Sequence, residues 1–139
     1  MPSYDSVNVG DEVPGADFAV TRLDLVRYCG ASGDFNVIHW NERIANAVGL
    51  PGVIAHGMFT MAEAARVVTD WTGDPGALKE YAVRFTRPVP VPNDDRGSVI
   101  EVSGEVTELL DERRVKVMLT ATYADQKILG NAVAIVQLA

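Results

Sequence analysis

Gly57-Met58-Phe59-Thr60-Met61-Ala62-Glu63-Ala64-Ala65-Arg66-Val67-Val68-Thr69 is the stretch on which the fold depends. Met58, Phe59, Met61, Ala62, Ala64, Ala65, Val67 and Val68 leave it almost no polar face. A helix that is apolar nearly all round is expected to be buried. At about 13 residues it is too short to cross a bilayer, which takes roughly 20. Such a helix needs an apolar surface to lie in. The chain downstream supplies one.

Tyr81–Thr86, Ser98–Val106, Arg114–Ala124 and Lys127–Leu138 read as strands. Val115, Val117, Leu119 and Ala121 alternate with Lys116, Met118 and Thr120, the period-two pattern of a sheet with one buried face. Asp111-Glu112-Arg113 and Asp125-Gln126 are expected hairpin turns. Pro88, Pro90 and Pro92 exclude a regular central strand and predict an extended crossing segment. Upstream, Asp17–Val20 is a short apolar run and a possible first strand. Thr21-Arg22-Leu23-Asp24 matches the capping pattern. It predicts a helix of about ten residues through Leu25, Val26 and Cys29, broken by Gly30 and Gly33. Asn41–Val48 reads as a shorter helix stopped by Gly49.

One buried helix followed by an antiparallel meander has a simple packing solution. The sheet curls around the helix, and the helix fills the concave face. The expected class is α+β with a hotdog arrangement, a curled antiparallel sheet wrapped around a long central helix. Another α+β roll satisfies the same pattern. The 139 residues show no repeat, low-complexity tract or linker, so residues 1–139 are expected to form one domain.

The net charge of −7 argues against nucleic-acid binding, which needs a basic footprint. It leaves room for an anionic ligand at a local cluster, for which Arg66, Lys79, Arg84 and Arg87 are available. Met1-Pro2-Ser3-Tyr4-Asp5 lacks the basic-then-apolar layout of a secretory signal, and no membrane span is expected. Cys29 is the only cysteine, which fits a reducing cytoplasm. It is read as a small buried core residue rather than a nucleophile.

Tyr28-Cys29-Gly30-Ala31-Ser32-Gly33-Asp34-Phe35-Asn36-Val37-Ile38-His39-Trp40 carries the polar chemistry. In a regular helix Asp34 and His39 would stand about 140° apart, whereas in a loop they can converge. A carboxylate and an imidazole meeting at one water form a proton-transfer device. Spacing alone favours a plainer reading, with Asp34 capping a turn and His39 a satisfied surface histidine. Asp34, His39 and His56 also offer two nitrogens and a carboxylate to a metal, but no pair has the i,i+4 spacing of helical ligands. Ile54-Ala55-His56-Gly57-Met58 leads into the apolar helix through a glycine. The first helical amides have no intrahelical partner, so Gly57 N–H can bind a carbonyl oxygen and hold it more tightly as it gains charge. Alternatively Gly57 merely permits tight packing, with His56 a polar residue at the mouth.

Together the two segments resemble a known family. Gly33-Asp34-Phe35-Asn36-Val37-Ile38-His39 is similar to the G-D-x-N-P-[IL]-H signature of the MaoC-like, R-specific enoyl hydratases and dehydratases. Ala55-His56-Gly57-Met58 is similar to their second signature. Val37 departs from the usual proline. Val91-Pro92-Asn93-Asp94 and the length most resemble the B-subunit type of the mycobacterial (3R)-hydroxyacyl-ACP dehydratases. The resemblance implies that Asp34 and His39 hold a catalytic water and that Gly57 N–H polarises a thioester carbonyl. Asn36, His56 and Met58 are implied as loop or substrate support. It also implies an acyl-ACP or acyl-CoA substrate, an R product and no cofactor or metal. The expected partner is an identical chain or a related hotdog subunit. A scaffold subunit without catalysis and a thioesterase using Glu63 are the competing readings. Glu63 is otherwise expected to pair with Arg66, three residues on. Trp40, Trp71 and Met61 are expected to pack, and Tyr81 and Arg84 are weighed as contacts to a carrier arm.

Overall fold

The computed structural model describes residues 1–139. Six strands form one antiparallel sheet: β1 (Glu12–Val20), β2 (Leu78–Phe85), β3 (Ser98–Leu110), β4 (Arg114–Tyr123), β5 (Gln126–Lys127) and β6 (Leu129–Gln137). Their order is β1-β3-β4-β6-β2, with β5 paired to β4. The long helix α3 (Gly57–Thr72) packs against β1, β3, β2 and β6. Two shorter helices precede it, α1 (Arg22–Ser32) and α2 (Glu42–Ala47).

The alternation read from the sequence is the alternation of the sheet. Ile100, Val102 and Val106 of β3 and Val115, Val117, Leu119 and Ala121 of β4 turn inward and are buried. Glu101, Ser103 and Glu105 between them face out. Each fully buried Val or Ile contributes about 1.5–3 kcal/mol relative to exposure.

Several boundaries differ from the expectation, each for a local reason. The first strand begins at Glu12 rather than Asp17, because a bulge between Val13 and Ala16 absorbs Pro14 and Gly15. Helix α1 runs through Gly30 to Ser32 and stops only at Gly33, whose φ of 77 is left-handed. Gly30 lies on the exposed side, where its missing side chain leaves no gap. Val26 is likewise exposed, so Leu25 and Cys29 are the only buried residues of this helix. Helix α3 extends three residues past Thr69 to Thr72. It is not buried all round: Thr60, Ala64, Val67, Val68 and Thr72 face the sheet, while Met58, Ala62 and Arg66 are exposed. The last strand divides at Ile128 into β5 and β6. In the preceding turn the left-handed residues are Ala124 and Asp125, and Gln126 already pairs with Tyr123.

The capping box on α1 is complete. Thr21 Oγ1 accepts the Asp24 amide at 3.4 Å, and the Asp24 carboxylate accepts Thr21 N–H at 2.8 Å. Thr21→Ala is expected to cost about 1 kcal/mol, seen as a lower urea midpoint with an unchanged slope. An unchanged midpoint would contradict the cap.

The proline-rich segment positions the site. Val89 and Val91 are buried, and the segment lies extended against the chain leading into α3. Ala55 N–H donates to Val89 O and Val91 N–H to Val53 O, both at 2.9 Å. The prolines alternate with these valines, so no missing N–H falls on the bonded side. Ser98 Oγ–H donates to Pro90 O, and the Arg22 guanidinium to Val91 O.

Candidate active site

Gly33 ends α1 with its N–H on Cys29 O at 2.9 Å, and the chain then enters a tightly bonded loop. Ser32 Oγ accepts Asp34 N–H at 3.1 Å. Asp34 Oδ1 accepts Asn36 N–H at 3.1 Å, and Asn36 Oδ1 accepts Ile38 N–H at 3.3 Å. These short side-chain acceptors stand in for a regular backbone ladder. They launch one 3₁₀ turn, Val37–His39, that turns His39 inward. Asp34 therefore does cap a turn. The capping uses one carboxylate oxygen, and Oδ2 accepts no bond within the chain.

His39 is a buried residue, 7% exposed, rather than a surface histidine. Its Nδ1 lies 2.7 Å from Ile54 O. A carbonyl can only accept, so Nδ1 carries the proton and Nε2 of the neutral ring keeps its lone pair. His56 is 1% exposed. Its Nε2 lies 3.1 Å from the main-chain oxygen of Asp34 and 3.6 Å from Cys29 Sγ. The two imidazoles stack at 3.8 Å with 22° between planes. Polar atoms of Asp34, His39 and His56 all lie within 4.8 Å of one another. The loop thus brings together the two residues whose spacing left their meeting open. Burial is the main cause holding His56 below its ordinary 6.5, with His39 adding to it and the Asp34 carbonyl and charge opposing. Burial, followed by the Asp34 charge, pushes the Cys29 thiol up.

Beside His39 opens a cleft of about 390 Å³, lined by Ile38, Ile54, Ala55, Gly57, Thr60, Phe85, Thr86, Arg87, Pro88 and Val89. Gly57 is the first residue of α3, and its amide has no acceptor within the chain. A Cβ at Gly57 would stand 3.1 Å from the Phe85 ring, so glycine leaves this wall open. His39 and the free Gly57 amide thus border the same small volume. That combination suits proton transfer next to a carbonyl that gains charge.

The remaining residues sort by position. Met58 is 56% exposed and does not line the cleft. Glu63 pairs with Arg66 at 2.8 Å, as the spacing predicts. Of the four basic residues considered for a phosphate, only Arg87 lines the cleft, where its guanidinium donates to Gln126. Lys79 is turned to Gly76 O. Tyr81 buries its hydroxyl without a partner, and burial pushes it to about 12. Trp40 is half exposed and donates its indole N–H to Phe35 O, while Trp71 packs on the core.

A metal fits this triad poorly. Imidazole lone pairs lie in the ring plane, and near-parallel stacked rings cannot aim two of them at one ion. The Ile54 carbonyl and the Phe85 ring were not identified from the sequence. The first is a main-chain atom with no residue signature, and the second stands on a strand 28 residues from Gly57.

The chain is similar to several known proteins. Dehydratase X of Mycobacterium tuberculosis, a 3-hydroxyacyl-thioester dehydratase, is 42% identical over 79 residues, which is 57% of this chain and 27% of that protein. A solved MaoC-like dehydratase superposes with a TM-score of 0.94 at 45% identity, covering 99% of this chain and 42% of the other. The R-hydratase PhaJ1 of Pseudomonas aeruginosa superposes with a TM-score of 0.83 at 25% identity, covering 98% and 85%. The chain thus spans less than half the length of the first two. The sheet that curls around α3 is the hotdog fold. Residues 6–126 match the family described as the MaoC like domain, and the chain belongs to that family.

Proposed function

We propose that this chain catalyses the R-specific addition of water to trans-2-enoyl thioesters and the reverse elimination from (3R)-hydroxyacyl thioesters. Its proposed place is the dehydration step of fatty-acid elongation. The observation that carries the proposal is that His39, oriented by the Ile54 carbonyl, lines one cleft with Gly57, whose amide is free. A water held between Asp34 and His39 attacks C3 and gives a proton to His39 Nε2. Electron density moves to the thioester oxygen, where Gly57 N–H holds the developing enolate. The imidazolium returns a proton to C2 on the same face. The balance is one water across one double bond.

The acyl carrier is CoA or an acyl carrier protein. We place the chain in the cytoplasm as one domain; no helix is long and apolar enough to cross a membrane. A second hotdog subunit, identical or related, would join along β2. That strand pairs with β6 alone, and Phe85 and Met58 lie exposed beside it.

The purified chain is expected to hydrate crotonyl-CoA or a longer enoyl thioester to the R alcohol, followed by loss of enoyl absorbance and chiral analysis of the product. An S product, or no hydration of short and long substrates on either carrier, would overturn the reading. Gly57→Ala keeps the amide but crowds it. Because the Phe85 ring is half exposed and free to shift, melting should barely change. The variant's kcat should fall about 10-fold or more, short of the 10²–10³ for losing an oxyanion donor outright.

A further inference from the structure

Two stacked imidazoles with opposite nitrogens on carbonyls form an arrangement that the acid–base chemistry above does not require. His39 presents Nδ1–H to Ile54 O, and His56 presents Nε2–H to Asp34 O. The second bond reaches the main chain of the residue whose carboxylate completes the site. His56 Nδ1 is buried and has no partner. Burial and the neighbouring His39 disfavour a charge on the ring, while the Asp34 carbonyl and carboxylate oppose them. The Tyr28 ring stands edge-on at 4.7 Å, the Cys29 thiol lies at 3.6 Å, and the face is covered by His39. The Asp34 carboxylate is the only anion facing it, and it shares its field with His39.

Resting on the hydratase reading, we propose that His56 is a positioning residue, locked in the Nε2–H tautomer, that clamps Asp34 by its main-chain carbonyl and gives His39 a neutral shelf. The work divides between the two rings. When His39 accepts the proton from water, the ring beneath it stays neutral, so the charged imidazole meets a π-face instead of a second cation. The clamp matters because Asp34 is otherwise an exposed loop residue held only by neighbours within two positions. His56 ties that loop to the start of α3, where the Gly57 amide sits. Proton acceptor, carboxylate and amide therefore keep one spacing. Misplacement of such a constellation by about 1 Å can cost roughly 10²-fold.

The chain has two histidines, so the test is clean. Histidine-selective ¹⁵N labelling gives two ring systems, assigned by comparison with His56→Phe. His39 is expected as the Nδ1–H tautomer and His56 as the Nε2–H tautomer, with His56 titrating below the ordinary 6.5. His56 in the Nδ1–H form, or titrating at or above 6.5, would overturn the proposal. This arm needs no turnover, so it stands even if no thioester is hydrated.

In the activity arm, His56→Phe keeps a stacked ring but removes the donor. It should lower kcat about 10–100-fold with KM within about threefold, and His56→Gln, which carries an N–H at similar reach, should recover most of the loss. Wild-type kcat in His56→Phe, or a failure of Gln to exceed Phe, would also overturn it.

Discussion

Hydration of an enoyl thioester by the His39→Asn variant is expected to fall about 10²–10⁴-fold in kcat, the usual worth of a positioned acid–base group. Asparagine is the informative replacement. Its amide can still donate to Ile54 O, which now receives Nδ1–H at 2.7 Å. What it cannot supply is the second nitrogen. His39→Ala would combine the loss of the base with an unsatisfied buried carbonyl, itself worth about 1–3 kcal/mol. A lowered melting point would then confuse the result. Asp34→Asn is the companion. Its side-chain oxygen can go on accepting Asn36 N–H, which Asp34 Oδ1 accepts at 3.1 Å, so the turn should survive while the charge is lost. Steady-state kinetics beside a melting curve separate the two contributions. Near-wild-type turnover in both variants, with product unchanged, would remove the pair from the mechanism.

The largest effect on stability is expected at Gly97. An added Cβ would stand 2.0 Å from Val20 O and 2.7 Å from Val20 C, and φ is +67. Both contacts are main chain, at the point where Val20 pairs with Ser98 and α1 is about to start. Neither can rotate away as a side chain would. Gly97→Ala should therefore cost at least about 3 kcal/mol, near the top of the range for single substitutions. That corresponds to a melting point lower by roughly 10 °C, or to insoluble expression. Gly33→Ala is the control. Its φ of 77 is as left-handed, but a Cβ there meets open space, so the backbone penalty of about 1 kcal/mol stands alone. Equal losses in the two variants would show that conformation, not the Val20 contact, governs Gly97.

What could be read in advance follows the reach of each interaction. The period-two pattern of Val115–Ala121 and the box at Thr21–Asp24 are local, and both are as expected. The helix at Gly57 was legible as a helix. Its depth was not, because which half faces the sheet depends on strands elsewhere in the chain; Met58 is the clearest case. Gly30 is a helix residue because its place on the exposed side removes the packing argument against it. At the site, residue types were legible and directions were not. Asp34 and His39 stood out as chemistry, but the atom that orients His39 is a main-chain oxygen of Ile54. His56 was read as a polar residue at a mouth and is instead among the most buried side chains.

The extended segment Val89–Val91 has a bearing on when the molecule becomes competent. Both signature stretches are complete by Met58, yet Ile54 sits between two residues, Val53 and Ala55, that are held by bonds to Val91 and Val89. A nascent chain that has passed Thr72 but not Val91 owns its histidines and its helix without the clasp that aims them. Long-range contacts of this kind form late, after loop closure has been overcome. Competence thus arrives with a distant stretch of valine and proline that carries no chemistry of its own. Translation of the signatures is not the same event as assembly of the site.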